Sequence, residues 1–531
     1  MPTAPSPSTR REDRLAWLDA LRGFAALCVV FDHGSTLVLM PVRDYLYRWF
    51  NFGQFGVFVF FLVSGYIVPA SLERRGSLRK FWIGRGFRLY PMFAVALVLA
   101  MVGYVTRYGT LGGAEHDPQS ALAAWVLMLQ NLLPGYNVPN VTWTLSYEML
   151  FYLLLAGLFS YGVHKRSVTY AFACAAGAVV LGGVLPMAVF VRWAGPSGHG
   201  GFILNVTVDV LILGGVALSV FARGTWAIRV GASVAALTVL VLATFDQTYP
   251  YPWSATTILA LMFTGTVIYR AEQFSSGGAS PRTPRGLPAT GPMAEAASVS
   301  GLSRASGRLR DLVTPPVQAA IVVVAVLALT VYAGVWHGQQ QHQSHVWQVQ
   351  WVTSVAGAFV VFGIGFAARH RRVPRWFAWL GLISYSVYLL HPLVFNAYRA
   401  AYGPVPFFRH PHSIGVQVLL FAGLVGVIIA LSAVTYYLVE KPMQRLGRQV
   451  ATRFPAAAPA TSLSVPPAPY ATVAGAGAGT DGGGASAADG ATVPDTASER
   501  DGTSTRDGAA DAAARSASSS SAVAGGSGAS P

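Results

Sequence analysis

The sequence predicts an all-α, polytopic helical bundle embedded in a membrane, with about 10 to 12 transmembrane helices. Three observations predict it. Hydrophobic residues make up 53% of the 531 residues and charged residues only 11%. Mean hydropathy is +0.47. Apolar runs of spanning length recur along most of the chain. The runs are continuous rather than alternating, which excludes a bacterial-type β-barrel, and a soluble α/β enzyme would not bury so many consecutive apolar helices. A net charge of +15 does not point to nucleic acid, because the basic residues occupy short loops beside apolar runs, as positive-inside topology demands.

Residues 1–16 read as an uncleaved cytoplasmic leader: Arg10, Arg11 and Arg14 are present, without an apolar core or a small-residue cleavage site. Spans are expected near residues 18–39, 55–71, 89–106, 144–161, 168–191, 202–221, 226–245, 254–269, 316–335, 350–368, 376–398 and 413–438. The run 121–133 is too short to cross comfortably and is expected to be re-entrant or interfacial. With the N-terminus inside, the basic loops at 74–88, 165–166, 282–310, 370–375 and 441–448 all fall on the cytoplasmic side, and so do both termini. The transmembrane domain is expected to run from 17 to 442 and to be interrupted by a cytoplasmic insertion loop, 271–315. A Gly, Ala and Ser-rich tail, 455–531, is too poor in large apolar residues to build a core and is expected to be disordered. Cys28 and Cys174 lie inside apolar runs, so they read as small buried hydrophobes, not as a disulfide framework or a zinc site.

Polar residues inside these spans are costly and mark candidate chemistry. Asp19, Arg22, Asp32 and His33 share the first span. Arg22 and His33 are about three turns and roughly 16 Å apart on nearly one face. A neutral imidazole at that depth can take a proton from an alcohol; the competing account is a snorkelling arginine and a histidine bonded to a neighbouring helix. Ser64 follows Phe60 and Phe61. Arg85 and Arg88 are three apart before Pro91, on one face, suited to clamping a phosphorylated ligand, or serving only as topology arginines. Ser146, Glu148 and Tyr152 enter an apolar helix beginning near Trp143; the competing account of the carboxylate is a structural ion pair with an intramembrane arginine. Ser384, Tyr388 and His391 follow i, i+4, i+7 spacing, and Glu440 to Pro442 closes the last span. His337, His342 and His345 are spaced too loosely for a metal site and read as a polar outer loop. Asp209 is an intramembrane acid without an identifiable partner, and Asn140 and Asn205 stand in short Asn-x-Thr patterns.

Taken in order, these blocks resemble membrane-bound acyltransferase family 3, the O-acyltransferases that modify polysaccharides, lipids, peptidoglycan and natural products. The matching elements are Arg-x10-His at Arg22 and His33, Phe-Phe-x-x-Ser-Gly at Phe60 to Gly65, and Arg-x-x-Arg-x-Tyr-Pro at Arg85 to Pro91. The others are Trp-x-Leu-Ser-x-Glu-x-x-Phe-Tyr at Trp143 to Tyr152, Ser-Tyr-x-x-Tyr-Leu-x-His at Ser384 to His391, and Glu-x-Pro at Glu440 to Pro442. The insertion loop and the absence of an appended esterase-like domain depart from some members. The resemblance implies an O-acyltransferase that takes an acyl group, most simply acetyl, from acyl-CoA as co-substrate. The acceptor is a hydroxyl of a saccharide, lipid or natural product. No bound cofactor, metal or nucleic acid is implied, and the setting is the cell envelope at a bacterial inner membrane. His33 is then the base, assisted by Arg22 and Glu148; Arg85 and Arg88 hold CoA. Ser64, Trp143, Ser146, Tyr152, Ser384, Tyr388 and His391 line the substrate cavity. A secondary transporter or flippase that uses the same charges as a proton or substrate path is the alternative, although the sequence shows no paired halves.

Overall fold

The structure, a computed structural model, describes residues 16–194, 199–246, 252–277, 315–402 and 413–453. The leader up to residue 15, most of the insertion loop and the tail lie outside the described residues. In chain order the helices are α1 (Ala16–Val38), α2 (Met40–Leu46), α3 (Phe52–Arg75), α4 (Leu78–Val105), α5 (Pro118–Val126), α6 (Trp143–Ser160), α7 (Ser167–Val180), α8 (Val189–Ala194), α9 (His199–Phe221), α10 (Thr225–Phe245), α11 (Pro252–Gly277), α12 (Pro315–Gln340), α13 (His345–Ala367), α14 (Arg375–Tyr402), α15 (Ile414–Thr435) and α16 (Lys441–Arg453). No strand occurs among the described residues. Among the described residues ten helical segments are long and apolar enough to cross a membrane, so the protein is an all-α, multi-pass integral membrane bundle. Large apolar side chains such as Val105, Ile203, Val210, Val360 and Leu419 face outward and are well exposed, a surface that suits lipid.

The centre of the bundle is built from α1, α3, α6, α11 and α14. Small residues let these helices approach closely. A Cβ at Gly381 of α14 would lie 1.9 Å from the Asp19 carbonyl oxygen of α1, and one at Gly23 would lie 2.9 Å from the Gly381 nitrogen. Likewise a Cβ at Gly65 of α3 would stand 1.8 Å from the Met262 carbonyl oxygen of α11. The Ser-Gly pair that ends the Phe-Phe motif therefore turns Ser64 to a cavity and Gly65 to a helix crossing.

Three elements differ from the sequence expectation. The expected span 168–191 stops at Val180, leaving α7 with 14 residues, because Gly182, Gly183 and Pro186 break the helix within an apolar run. Helix α11 continues to Gly277 and α12 opens at Pro315, so both ends of the predicted insertion loop are helical. The last span passes into π-helical spacing over Tyr436–Glu440 and continues as α16 to Arg453. Pro442 has no N–H to give the carbonyl four residues back, and the change of spacing falls in the turn before it.

The short run 121–133 does not cross the bundle. After the nine-residue α5 the chain is irregular and buried, and irregular backbone at membrane depth survives only when its polar groups find protein partners. Ser146 Oγ donates to the Met128 carbonyl at 2.9 Å and accepts from the Asn131 N–H at 3.2 Å. Gln130 Nε2 donates to the Thr142 carbonyl at 3.0 Å. Asn205, fully buried on α9, donates to the carbonyls of Ser120 and Pro134 at 2.9 and 2.7 Å.

The helix crossings predict opposite outcomes for one substitution. Gly381→Ala should destabilise the detergent-solubilised protein by about 1–3 kcal/mol, because its Cβ meets rigid backbone. Gly363→Ala, with nothing within 4 Å of its Cβ, should be neutral or stabilising through helix propensity. Thermal unfolding of both variants in one detergent checks the contrast.

Candidate active site

Two cavities lie along the inner face of α1, one at Arg22 and the other at His33. The first, about 60 Å³, is lined by Arg22 of α1, Ser64 of α3, Arg85 and Arg88 of α4, Glu148 of α6, and Ser384 and Tyr388 of α14. It is the smaller of the two, a slot beside a chamber. Arg85 is buried; its guanidinium donates to the Tyr152 hydroxyl at 3.1 Å and lies 4.8 Å from that ring's centre. The Tyr152 hydroxyl in turn donates to Glu148. Arg22 is 3.9 Å from Asp19. Arg88 has no carboxylate within ion-pair distance among the described residues, but it is within electrostatic reach of Glu148, Glu440 and Asp19. Glu440 is held by Ser386 Oγ at 3.2 Å and Gln444 Nε2 at 3.0 Å. The guanidiniums of Arg22, Arg85 and Arg88 are thus offset by Glu148 in the slot and by Asp19 and Glu440 close behind it, which is what lets so many charges persist at membrane depth. Farther out the balance is positive, because Arg75 is grouped with Arg74, Arg85, Arg88 and Arg448.

The second cavity, about 240 Å³, is lined by Asp32 and His33 of α1, Asn51 and Gln54 at the start of α3, Trp143 at the start of α6, and Trp347 and Trp351 of α13. The rings of Trp347 and Trp351 are stacked with centroids 5.8 Å apart. Asn51 caps α3 by accepting from the Gln54 N–H at 2.9 Å, which fixes the Asn51 side chain at the cavity edge. His33 Nε2 lies 3.8 Å from Asp32 Oδ2. His33 Nδ1 is 2.9 Å from Nε2 of His391.

Among the described residues the two cavities have just Val57 and Tyr388 in common. The Tyr388 hydroxyl is 3.0 Å from both Thr144 Oγ1 and the Val141 carbonyl oxygen, and Phe60 packs edge-on against its ring. Tyr388 therefore stands in the wall between the arginine slot and the histidine chamber.

The structure sorts the residues singled out in the sequence. Arg22, Ser64, Arg85, Arg88, Glu148, Ser384 and Tyr388 gather at the slot; His33 and Trp143 face the chamber. Three lie behind the walls. Ser146 fastens the irregular segment after α5, Tyr152 braces Arg85 and Glu148, and His391 is fully buried beneath His33. Polarity within an apolar helix cannot by itself separate a lining residue from a bracing one. Asn51, Gln54, Trp347 and Trp351 were not singled out, although the i, i+4 tryptophans at the start of α13 are a visible aromatic face. His337 belongs to α12, not to an outer loop: it is buried, bonds the Ala178 carbonyl at 2.9 Å and stacks on Trp253. Asp209 is buried on α9 with one carboxylate oxygen unpartnered among the described residues.

With this geometry in place, comparison with known proteins gives the class. Over residues 15–275 and 301–437 the chain matches the family described as acyltransferase domain, and it belongs to that family. The match skips 276–300, within the predicted insertion loop. The acyltransferase MdmB of Streptomyces mycarofaciens is 33% identical over 175 residues, covering 31% of this chain and 44% of that protein. Nodulation protein 10 of Rhizobium leguminosarum bv. viciae is 30% identical over 159 residues, 26% of this chain and 42% of that protein. The O-acetyl transferase of Shigella phage Sf6 is 26% identical over 145 residues, 26% of this chain and 43% of that protein. The aligned stretch thus spans less than half of each of these relatives. No solved structure matches the chain.

Ser146→Ala should lower stability by about 1–3 kcal/mol, since it strands the buried Met128 carbonyl and Asn131 N–H. A thermal midpoint equal to that of the unaltered protein would return Ser146 to the candidate substrate contacts.

Proposed function

We propose that the protein is an acyl-CoA-dependent O-acyltransferase whose donor enters the arginine slot and whose hydroxyl acceptor enters the histidine chamber. The observation that carries this reading is the shared Tyr388 wall, which sets a narrow cationic slot back to back with a wider chamber holding a partly exposed imidazole. A linear phosphopantetheine arm suits the slot. The CoA phosphates rest where the charge balance is positive, at Arg88 with Arg74, Arg75 and Arg448, and Arg85 keeps Tyr152 and Glu148 in place behind the arm. The stacked tryptophans, with Asn51, Gln54 and Asp32, suit an acceptor that presents both apolar faces and hydroxyls, as saccharides and glycosylated natural products do. The names of the relatives, an acyltransferase and an O-acetyl transferase among them, agree with this class.

In the reaction so read, His33 Nε2 takes the proton of the acceptor hydroxyl as its oxygen bonds to the thioester carbonyl carbon. The carbon–sulfur bond breaks, the new ester leaves through the chamber, and the proton passes from His33 to the CoA thiolate. Arg22, about 16 Å back along the same helix, lies in the slot and orients the donor's arm there rather than touching the reacting carbonyl. The arginine-rich end is then cytoplasmic, where acyl-CoA is made, and both termini lie on that side of the cell membrane.

His33→Ala should lower turnover by about a hundredfold to ten-thousandfold while leaving insertion intact, the usual loss for a general base. Assay of purified protein with labelled acetyl-CoA and a panel of hydroxylated acceptors is the measurement, and near-normal turnover would remove His33 from the chemistry. Arg88→Ala should raise the KM for acyl-CoA and leave the acceptor KM unchanged. Arg88 is the cleaner probe of the two motif arginines, since Arg85→Ala also frees Tyr152.

A further inference from the structure

We propose that His391 is the positioning residue that fixes the tautomer of His33, so that the nitrogen facing the chamber is the basic one. The inference rests on the reading of His33 as general base and adds the reason its Nε2 is unprotonated.

The argument begins in the sequence, with the pair His391 and Pro392 inside α14. Pro392 has no N–H, so the Tyr388 carbonyl four residues earlier loses its helical donor. The His391 ring folds back onto the same turn: its Nδ1 lies 3.1 Å from the Val387 carbonyl oxygen and also interacts with the backbone of Tyr388. A carbonyl only accepts, so Nδ1 of His391 carries the hydrogen. In a neutral imidazole the other nitrogen is then a lone pair, and Nε2 of His391 is an acceptor. The atom 2.9 Å from it, Nδ1 of His33, must therefore be the donor. What remains is His33 Nε2, unprotonated, on the side of Asp32 and the chamber. One proton assignment propagates from the Val387 carbonyl through two imidazoles to the proposed base.

The geometry is enforced and not incidental. His391 is fully buried, held by the Phe395 ring at 6.0 Å and the Tyr388 ring at 6.0 Å. The α1–α14 crossing at Gly23 and Gly381 brings the two helices together ten residues earlier on each. During transfer His33 Nε2 gains the acceptor's proton, and the positive charge that results is shared through Nδ1–H with the lone pair of His391 and faces the Asp32 carboxyl 3.8 Å away. The proton then leaves by the same Nε2 to the thiolate, and His391 is unchanged at the end of the cycle.

The test uses the two amides that mimic one imidazole nitrogen each. In His391→Gln the side-chain oxygen reaches the position of Nε2 and can accept from His33 Nδ1–H. In His391→Asn the shorter amide can still donate to the Val387 carbonyl but does not reach His33. His391→Leu, which fills the space and accepts nothing, is the second variant that breaks the bond. Each is purified full-length, checked for thermal unfolding, and assayed with acetyl-CoA and acceptor beside His33→Ala. The expected result is that Gln stays within about tenfold of the unaltered kcat, whereas Asn and Leu lose about a hundredfold to ten-thousandfold in kcat with both KM values unchanged, the range seen when a catalytic histidine loses its tautomer-setting partner. Adding His391→Asn to His33→Ala should cause no further loss. Asn or Leu as active as Gln, or Gln as inactive as Asn, would overturn the role of His391. An active His33→Ala would overturn the general-base reading instead, so the two failures are told apart by different proteins.

Discussion

The crossing of α1 and α14 at Gly23 and Gly381 governs everything at the centre of this protein. With a Cβ position at Gly381 only 1.9 Å from the Asp19 carbonyl oxygen, no side chain fits between the helices, and their backbones meet. From that contact α1 rises with Arg22 beside the crossing and His33 about 16 Å farther on. Helix α14 rises with it and carries Ser384 at the slot, Tyr388 in the wall and His391 buried beneath His33. In lipid, where apolar burial drives no association between helices, such close packing and the hydrogen bonds it permits are what hold two spans in register.

The membrane also explains how polar groups are distributed around this axis. Charge at depth is tolerated only when compensated, and the slot meets that condition through Arg22, Arg85 and Arg88 against Asp19, Glu148 and Glu440. Irregular backbone is tolerated only when capped by protein, and the segment after α5 meets it through Ser146, Gln130 and Asn205. Several of the polar residues in these apolar helices therefore brace the few that face the cavities. Tyr152 behind Arg85 and His391 behind His33 are the clearest cases, and each acts through a hydrogen bond to the residue that faces the cavity.

Much of this was legible in the chain, for identifiable reasons. The membrane class follows from composition and run length. Arg22 and His33 stand out because each is expensive where it lies, and helical phase alone places them on one face. Most motif residues gather at the two cavities because spacing along a helix fixes which face they share. Three things escaped. The partnership of His33 with His391 joins residues 358 apart in sequence and depends on a helix crossing that no local pattern encodes. Ser146 and Tyr152 carry the same signal as lining residues, since intrusion of polarity marks the neighbourhood of a site and not the direction a side chain takes. The stop in α7 was hidden by averaging, because Gly182, Gly183 and Pro186 are diluted by the valines and leucines around them. Conversely Trp347 and Trp351 were visible and passed over, since an aromatic pair at a span's edge is also what an interface belt contains.

The central claim is that donor and acceptor approach Tyr388 from opposite sides. It is tested most directly by a structure of the protein in a lipid nanodisc with a non-hydrolysable acyl-CoA analogue bound. The account predicts the phosphates among Arg74, Arg75, Arg88 and Arg448, the pantetheine arm between Arg22 and Glu148, and the carbonyl carbon at Tyr388 on the line to His33 Nε2. An analogue lodged instead among Asn51, Trp143 and Trp347, with the arginine slot unfilled, would contradict it.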